Sequence, residues 1–203
     1  MDDTLLKGRT IFFFAERKGF IDELISVITT DKQSYEKSIE IAKLLKGMNR
    51  KELLEIFREI PLQKHVKKLI IELKRKNIKT GIVTNSYQFV ADDLRERLDM
   101  DYVFANNLII REDIVTGELI LHNSMKKRCD DGKIYSICKG LVLEQLCDEL
   151  DIKPSEVIAI GDSMVDVGMI KKAGLGVAFN ASKKVQKYAD VVTDNFRTIL
   201  DYI

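Results

Sequence analysis

The chain lacks tryptophan, has two prolines and three cysteines, and carries almost no net charge, with 33 Lys and Arg against 32 Asp and Glu in 203 residues. Charges so nearly cancelled give no field to draw nucleic acid or anionic lipid, so neither is expected as a partner. Long hydrophobic runs are missing as well. The longest near the N-terminus, Ile11 to Ala15, is far too short to span a bilayer and follows no secretory pattern. A cytoplasmic protein is the expectation. Repeats, low-complexity tracts and Pro/Ser-rich linkers are also lacking. The cysteines, Cys129, Cys138 and Cys147, are odd in number and their spacing fits no zinc motif. In a reducing compartment no disulfide is expected. Cys138 and Cys147 then read as packed thiols, and Cys129 as part of a polar, solvated loop whose cations could lower its thiol pKa.

What is there is ordinary for a globular protein: 45% hydrophobic and 32% charged residues, in a length that suits one domain or one domain with an insertion. Residues 11–60 read as all helix. Apolar residues recur at helical spacing over Ile11–Ile28 and Tyr35–Leu45, and Gly47 ends the second run. Asn49 caps Arg50–Ile60, with Pro61 directly after. From Lys64 the pattern alternates. Helices are predicted at Lys64–Lys76, Phe89–Leu98, Leu141–Leu150 and Met164–Lys172, with strands at Thr80–Thr84, Tyr102–Phe104, Val157–Ile160, Gly176–Phe179 and Val191-Val192. Leu108–Arg111 and Glu118–Leu121 read as a hairpin turning near Thr116-Gly117. Such alternation predicts an α/β fold, a mostly parallel sheet with helices on both faces. The helical block then becomes an insertion behind the first motif.

Four short signals fall at strand ends or helix starts: Asp2-Asp3-Thr4-Leu5, Gly81-Ile82-Val83-Thr84-Asn85-Ser86, Lys139-Gly140, and Gly161-Asp162-Ser163-Met164-Val165-Asp166. In open α/β sheets, sites gather at the carboxyl ends of strands. Together the signals supply parts that phosphoryl transfer needs. Hydroxyl and backbone N–H groups of Thr84 and Asn85 could grip phosphate oxygens, Lys139 could neutralise their charge, and Asp162 with Asp166 could hold Mg²⁺.

Each signal also has a plainer reading. Asp2 and Asp3 could be helix-start carboxylates, Thr84 a strand-end residue, and Lys139 one solvated lysine among many. Asp162 could be an N-cap and Asp166 a solvent-facing acid. His65 and His122 lack partners at ligand spacing and read as structural or surface residues. Phe12-Phe13-Phe14 reads as packing, and Lys126–Arg128 as a solvated loop.

Taken in order, the four signals resemble the haloacid dehalogenase superfamily, in its phosphoserine-phosphatase-like branch, over nearly the whole chain. The resemblance implies a Rossmann-like core at 1–8 and 66–203 and a helical cap at 9–65. It implies Mg²⁺-dependent hydrolysis of a small phosphomonoester, with phosphoserine among the candidates, through an aspartyl-phosphate. Asp2 would be the general acid/base and would offer Mg²⁺ its backbone carbonyl. Asp3, Thr84, Asn85 and Lys139 would bind phosphate, and Asp162 and Asp166 the metal. Val165 replaces a commonly polar position. The family's nucleophilic Asp, at the end of a central strand, would stand directly before Met1. An initiation site placed too far downstream is the favoured explanation, and this chain alone is then expected to be inactive. The alternatives are a non-catalytic phosphate-ester or metal-binding protein that has lost the nucleophile, and phosphotransfer to an alcohol. The positions that meet the amino and carboxylate groups of phosphoserine in the family fall on Arg9 and Glu40, with both signs reversed. Those two are therefore the candidate specificity residues.

Overall fold

Glycine and asparagine set helix boundaries in the first third of the chain. The computed structural model describes residues 1–203. Gly19 adopts a left-handed conformation (φ 75°) and splits the single helix expected over Ile11–Ile28 into α1 (Thr10–Lys18) and α2 (Ile21–Ile28). A periodicity that stays in phase across one glycine hides such a break. In α3 (Ser34–Leu44) the first turn is tied by Glu36, whose carboxylate accepts the Gln33 N–H. Asn49 caps α4 (Arg50–Glu59) by accepting from the Lys51 N–H at 2.8 Å. This helical segment leaves and rejoins the rest through a short antiparallel ribbon: Lys7 N–H donates to Pro61 C=O, and Gln63 N–H to Leu5 C=O.

The alternating part runs α5 (Val66–Arg75), β1 (Gly81–Tyr87), α6 (Gln88–Leu98), β2 (Tyr102–Arg111), β3 (Ile114–Ile120), α7 (Lys139–Leu150), β4 (Ile158–Gly161), α8 (Val167–Lys172), β5 (Leu175–Phe179), α9 (Lys183–Gln186) and β6 (Val191–Thr193), and ends in a 3₁₀ segment, Phe196–Tyr202. The α/β class is as expected. Parallel pairing joins β1 to β2, and β4 to β5 to β6, while β2 and β3 are antiparallel. The strands form two three-stranded sheets, and β1 and β4 are not hydrogen-bonded to each other. One apolar core nevertheless spans both, joining Ile82 of β1 to Val177 and Phe179 of β5 and taking in Met1, Phe14 and Phe57. Phe179 and Phe196 stack with centroids 4.2 Å apart. Phe14 is fully buried in this core, which makes packing the role of the Phe12–Phe14 run.

The hairpin differs from its expected form. Tyr102–Phe104 and Leu108–Arg111 are one strand, and the turn is at Glu112-Asp113, both at positive φ, as two-residue hairpin turns require. Gly117, misread as the turn, lies inside β3 at φ 86°. A Cβ there would stand 3.1 Å from Cβ of Lys46, so the glycine lets the end of α3 approach the strand. The thiol reading is corrected too. Cys129 and Cys138 are joined as a disulfide with Cα atoms 5.8 Å apart, because the 129–133 turn folds the loop back. Cys147 is free and buried, as expected.

Candidate phosphate-binding site

At the end of β4 the chain must turn so sharply that Gly161 admits no side chain: a Cβ would lie 2.3 Å from Cβ of Asp166. Asp166 fills that space. One of its oxygens accepts the N–H groups of Asp162 (3.1 Å) and Ser163 (2.9 Å) and the Ser163 hydroxyl (2.8 Å). The other accepts from Lys139 Nζ at 2.5 Å. Lys139 is the first residue of α7 and is 7% exposed, with Asp166 at 2%. Burial works to raise the Asp166 pKa, but Lys139 and the Ser163 N–H together hold the carboxyl below its ordinary value. Asp166 thus anchors Lys139 and the loop, and its oxygens are already used.

Residues 1–8 wrap against this loop. Leu5 and Leu6 N–H both donate to Met1 C=O, and Asp3 is left-handed at φ 55°. The turn brings the Thr4 hydroxyl to Asp162 Oδ1 at 2.5 Å. It also places Asp2 where the buried Thr10 hydroxyl donates to it at 2.6 Å. Burial pushes Asp2 above its ordinary pKa, against the pull of the Met1 ammonium and Thr10. Burial, and then the Asp166 charge, push Asp162 up as well. The Met1 ammonium lies in the same cluster and is pushed down, first by burial and then by Lys139.

Thr84 stands on β1, 3% exposed, with its Oγ accepting the Ser86 N–H. Its hydroxyl proton is left free to donate. Behind it lies a buried amide network that the sequence did not announce. Asn106 Nδ2 donates to Asn85 C=O (2.8 Å) and to Ser136 Oγ (3.0 Å), and Asn85 Nδ2 also reaches Ser136. The Asn85 side chain is therefore turned into this network, with Oδ1 buried and unpartnered.

These groups share a cavity of about 600 Å³, which Asp2, Asp3, Thr84, Asn85, Lys139 and Asp162 help to line. Arg9 is also at its wall. Glu40 is not. It is held outside by Lys43 (3.0 Å) and Lys32 (3.5 Å), so no Arg9–Glu40 pair forms across the cavity. Ser34, Lys37, Ser38 and Ile41 do line it. Their i, i+3, i+4, i+7 spacing puts them on one face of α3, three polar residues and one apolar, readable in the sequence but not singled out there. His65 and His122 lie outside the cavity: His65 precedes α5, and His122 packs edge-on against Phe104.

Of the expected metal ligands, the Asp162 and Asp166 carboxylates and the Asp2 carbonyl, Asp166 is turned toward Lys139. No three His, Cys, Asp or Glu side chains converge anywhere in residues 1–203, and Asp166 is saturated by Lys139 and the loop. Mg²⁺ needs less than that, since one or two carboxylates with waters and substrate oxygens suffice. Asp162 fits such a role, because only Oδ1 is taken, by Thr4.

The family model of the haloacid dehalogenase-like hydrolases matches residues 1–174. A phosphoserine phosphatase of Archaeoglobus fulgidus is 32% identical over 195 residues, 94% of this chain and 54% of that protein. One of Methanocaldococcus jannaschii is 28% identical over all of this chain and 94% of its own length. A phosphoserine phosphatase solved with substrate bound superposes with a TM-score of 0.83 at 25% identity, covering 100% of this chain and 95% of the other. No helix is long and apolar enough to cross a membrane. With its β4 loop, its inserted helices and its cavity accounted for, the chain belongs to the haloacid dehalogenase-like hydrolases, in their phosphoserine-phosphatase-like branch.

Proposed function

We propose that the protein hydrolyses a small phosphomonoester at this cavity. The observation that carries the reading is the convergence of Thr84, Lys139, Asp2 and Asp162 from four separate segments onto one cavity. Thr84 would donate its free hydroxyl proton to a phosphate oxygen. Lys139, held at 2.5 Å from Asp166, would present its remaining N–H groups to the others. A carboxylate carried directly ahead of Met1 would attack phosphorus, and the P–O bond to the leaving group would break. Asp2, with its pKa raised by burial, would hand its proton to the leaving alkoxide. It would then take one from the water that attacks the aspartyl-phosphate, releasing phosphate and restoring the carboxylate.

Mg²⁺, when bound, would neutralise phosphate charge, with Asp162 and the Asp2 carbonyl as its protein ligands. Asp3 would contribute to the phosphate end. Asn85 would act through its backbone, since its side chain faces Ser136. Residues 9–65 would form the cap, moving on the 5–7/61–63 ribbon to exclude water.

The test compares the 203-residue chain with a version lengthened by an N-terminal strand ending in Asp. Phosphate release from a panel of small esters with Mg²⁺ is expected in the lengthened form. Asp2→Asn in that form is expected to slow it by roughly 10²–10⁴-fold. A lengthened, folded protein that releases phosphate from no ester would end the enzyme reading and leave a binding protein.

A further inference from the structure

The charges of the cavity are not distributed evenly. Its lining contains three carboxylates, Asp2, Asp3 and Asp162, and no glutamate. All three come from the first motif and the end of β4. Asp2 accepts from Thr10 and Asp162 from Thr4, both at the phosphate end. Beyond them the polar lining is cationic and hydroxylic, with Arg9 ahead of α1, Lys37, Ser34 and Ser38 on α3, and Lys133 from the loop before α7, set among apolar residues such as Ile11, Ile28, Ile41 and Leu119.

None of these three cations is in an ion pair. The Arg9 guanidinium sits 5.3 Å over the Phe12 ring. Lys37 Nζ spends one donor on Ile28 C=O at 2.8 Å and keeps two. The carboxylate on α3 that could have neutralised this wall, Glu40, is taken outside by Lys32 and Lys43, and Glu36 is tied to the start of the helix. Asp3 feels Arg9, which pulls its pKa down, although burial pushes it up more strongly.

Resting on the phosphatase reading above, we propose that the substrate's leaving group carries a second anion, a carboxylate or phosphoryl group, and no ammonium. Arg9 and Lys37 would hold that anion, with Ser34 and Ser38 as hydroxyl donors and Lys133 closing the wall. A guanidinium and an ammonium with free donors match an oxyanion. A substrate ammonium would find no carboxylate on the wall and would have to compete with Arg9 for Asp3. A cavity of about 600 Å³ accommodates a three- or four-carbon ester with charges at both ends.

The test is binding of non-hydrolysable phosphonates to the 203-residue chain with Mg²⁺, by calorimetry. Four ligands share a three-carbon length: propylphosphonate, 3-phosphonopropanoate, 2-amino-3-phosphonopropanoate and propane-1,3-bisphosphonate. The carboxylate or the bisphosphonate is expected to bind about tenfold more tightly than propylphosphonate, and whichever is tighter identifies the tail. The added amino group is expected to weaken binding severalfold. Arg9→Gln and Lys37→Gln should each shrink the preference for the anionic tail to below about threefold, while Glu40→Gln should leave it intact.

Tightest binding of the amino compound, lost in Asp3→Asn, would overturn the inference and make Asp3 the amine-holding residue. Equal binding of all four would overturn it and leave the phosphatase reading standing. Binding of none would overturn this inference, and the phosphatase reading would then rest on phosphate release by the lengthened form.

Discussion

On the cavity floor Lys139 is 7% exposed and its ammonium lies 2.5 Å from Asp166, whose every oxygen is engaged. On the wall Arg9 and Lys133 are exposed and none of Arg9, Lys37 and Lys133 has a carboxylate partner. The floor is built like a core, with buried charges fixed by short bonds that leave few alternative positions. The wall is built like a surface, with long side chains whose positions a ligand must complete. A floor of this kind suits the one group every substrate shares, and an adaptable wall suits the part that differs. The floor should therefore be costly to alter in stability, whereas the wall should be costly only in ligand choice.

The largest effect is expected at Asp166. Asp166→Ala would strand the Lys139 ammonium in a buried site, at a cost of about 3–5 kcal/mol. That should lower Tm by on the order of 10 °C in a chain of this size. Adding Lys139→Met should restore part of the loss, because removing both charges of a buried pair is far cheaper than removing one. A double variant no more stable than Asp166→Ala would mean that the loop bonds to Asp162 and Ser163, and not the ion pair, carry the stability. Gly161→Ala comes next. The new Cβ meets the Asp166 Cβ at 2.3 Å, an atom next to the backbone that cannot swing aside. About 1–3 kcal/mol is expected, read by denaturant titration.

These two predictions also mark what the sequence could and could not convey. Thr84, Lys139, Asp162 and the first motif were legible as an ordered set that resembles a known family, each at a strand end or helix start, whereas singly each had a plainer reading. The role of Asp166 was not legible. Spacing placed it beside Asp162 as a second ligand, but its side chain folds back on its own loop, and only the closeness of α7 turns it toward Lys139. The hairpin was misplaced for a related reason. Gly117 looked like a turn but serves the approach of α3, a contact between residues about 70 positions apart. The Cys129–Cys138 link depended on a loop path that no spacing rule contains. Most of the fold class was written in alternating periodicity, and what escaped were the places where distant segments decide a side chain's direction.

The carboxylates of the floor divide again in their response to pH. The Asp166 pKa is held below the ordinary 3.8, so its contribution is complete above that value and is lost as pH falls below it. Asp2 and Asp162 are raised, so the folded state binds their protons more readily than the unfolded chain does. Stability from these two therefore falls as pH rises from 3.8 through their folded pKa values. In chemical denaturation followed across pH, the Asp166 share should fade below 3.8, and the Asp2 and Asp162 share should fade above it. Asp162→Asn should remove part of the acid-side gain and stabilise the protein at neutral pH, at the expense of Mg²⁺ affinity. Unchanged stability of that variant at pH 7 would mean that the Thr4 hydrogen bond fully offsets the burial of Asp162.

Glu40 is where the smallest effect should be found, and where the contrast between floor and wall is most exposed to failure. Its carboxylate is shared by Lys43 at 3.0 Å and Lys32 at 3.5 Å, and both lysine side chains are about half exposed. Exposed pairs of this kind contribute little, because solvent screens them and both side chains lose freedom, and they weaken further with salt. Glu40→Ala should accordingly leave the denaturation midpoint unchanged in moderate salt, and leave phosphonate affinities where they were. The physical content lies in the second half of that expectation. If α3 meets the ligand only through Ser34, Lys37 and Ser38, then Glu40, on the same helix but outside the cavity, has no route to the anion except a long-range field that salt screens. A several-fold tightening of anionic ligands in Glu40→Ala that disappears in high salt would reveal such a field and enlarge the wall. A change that persists in high salt would place Glu40 in contact with ligand, and the division between floor and wall would have to be redrawn around it.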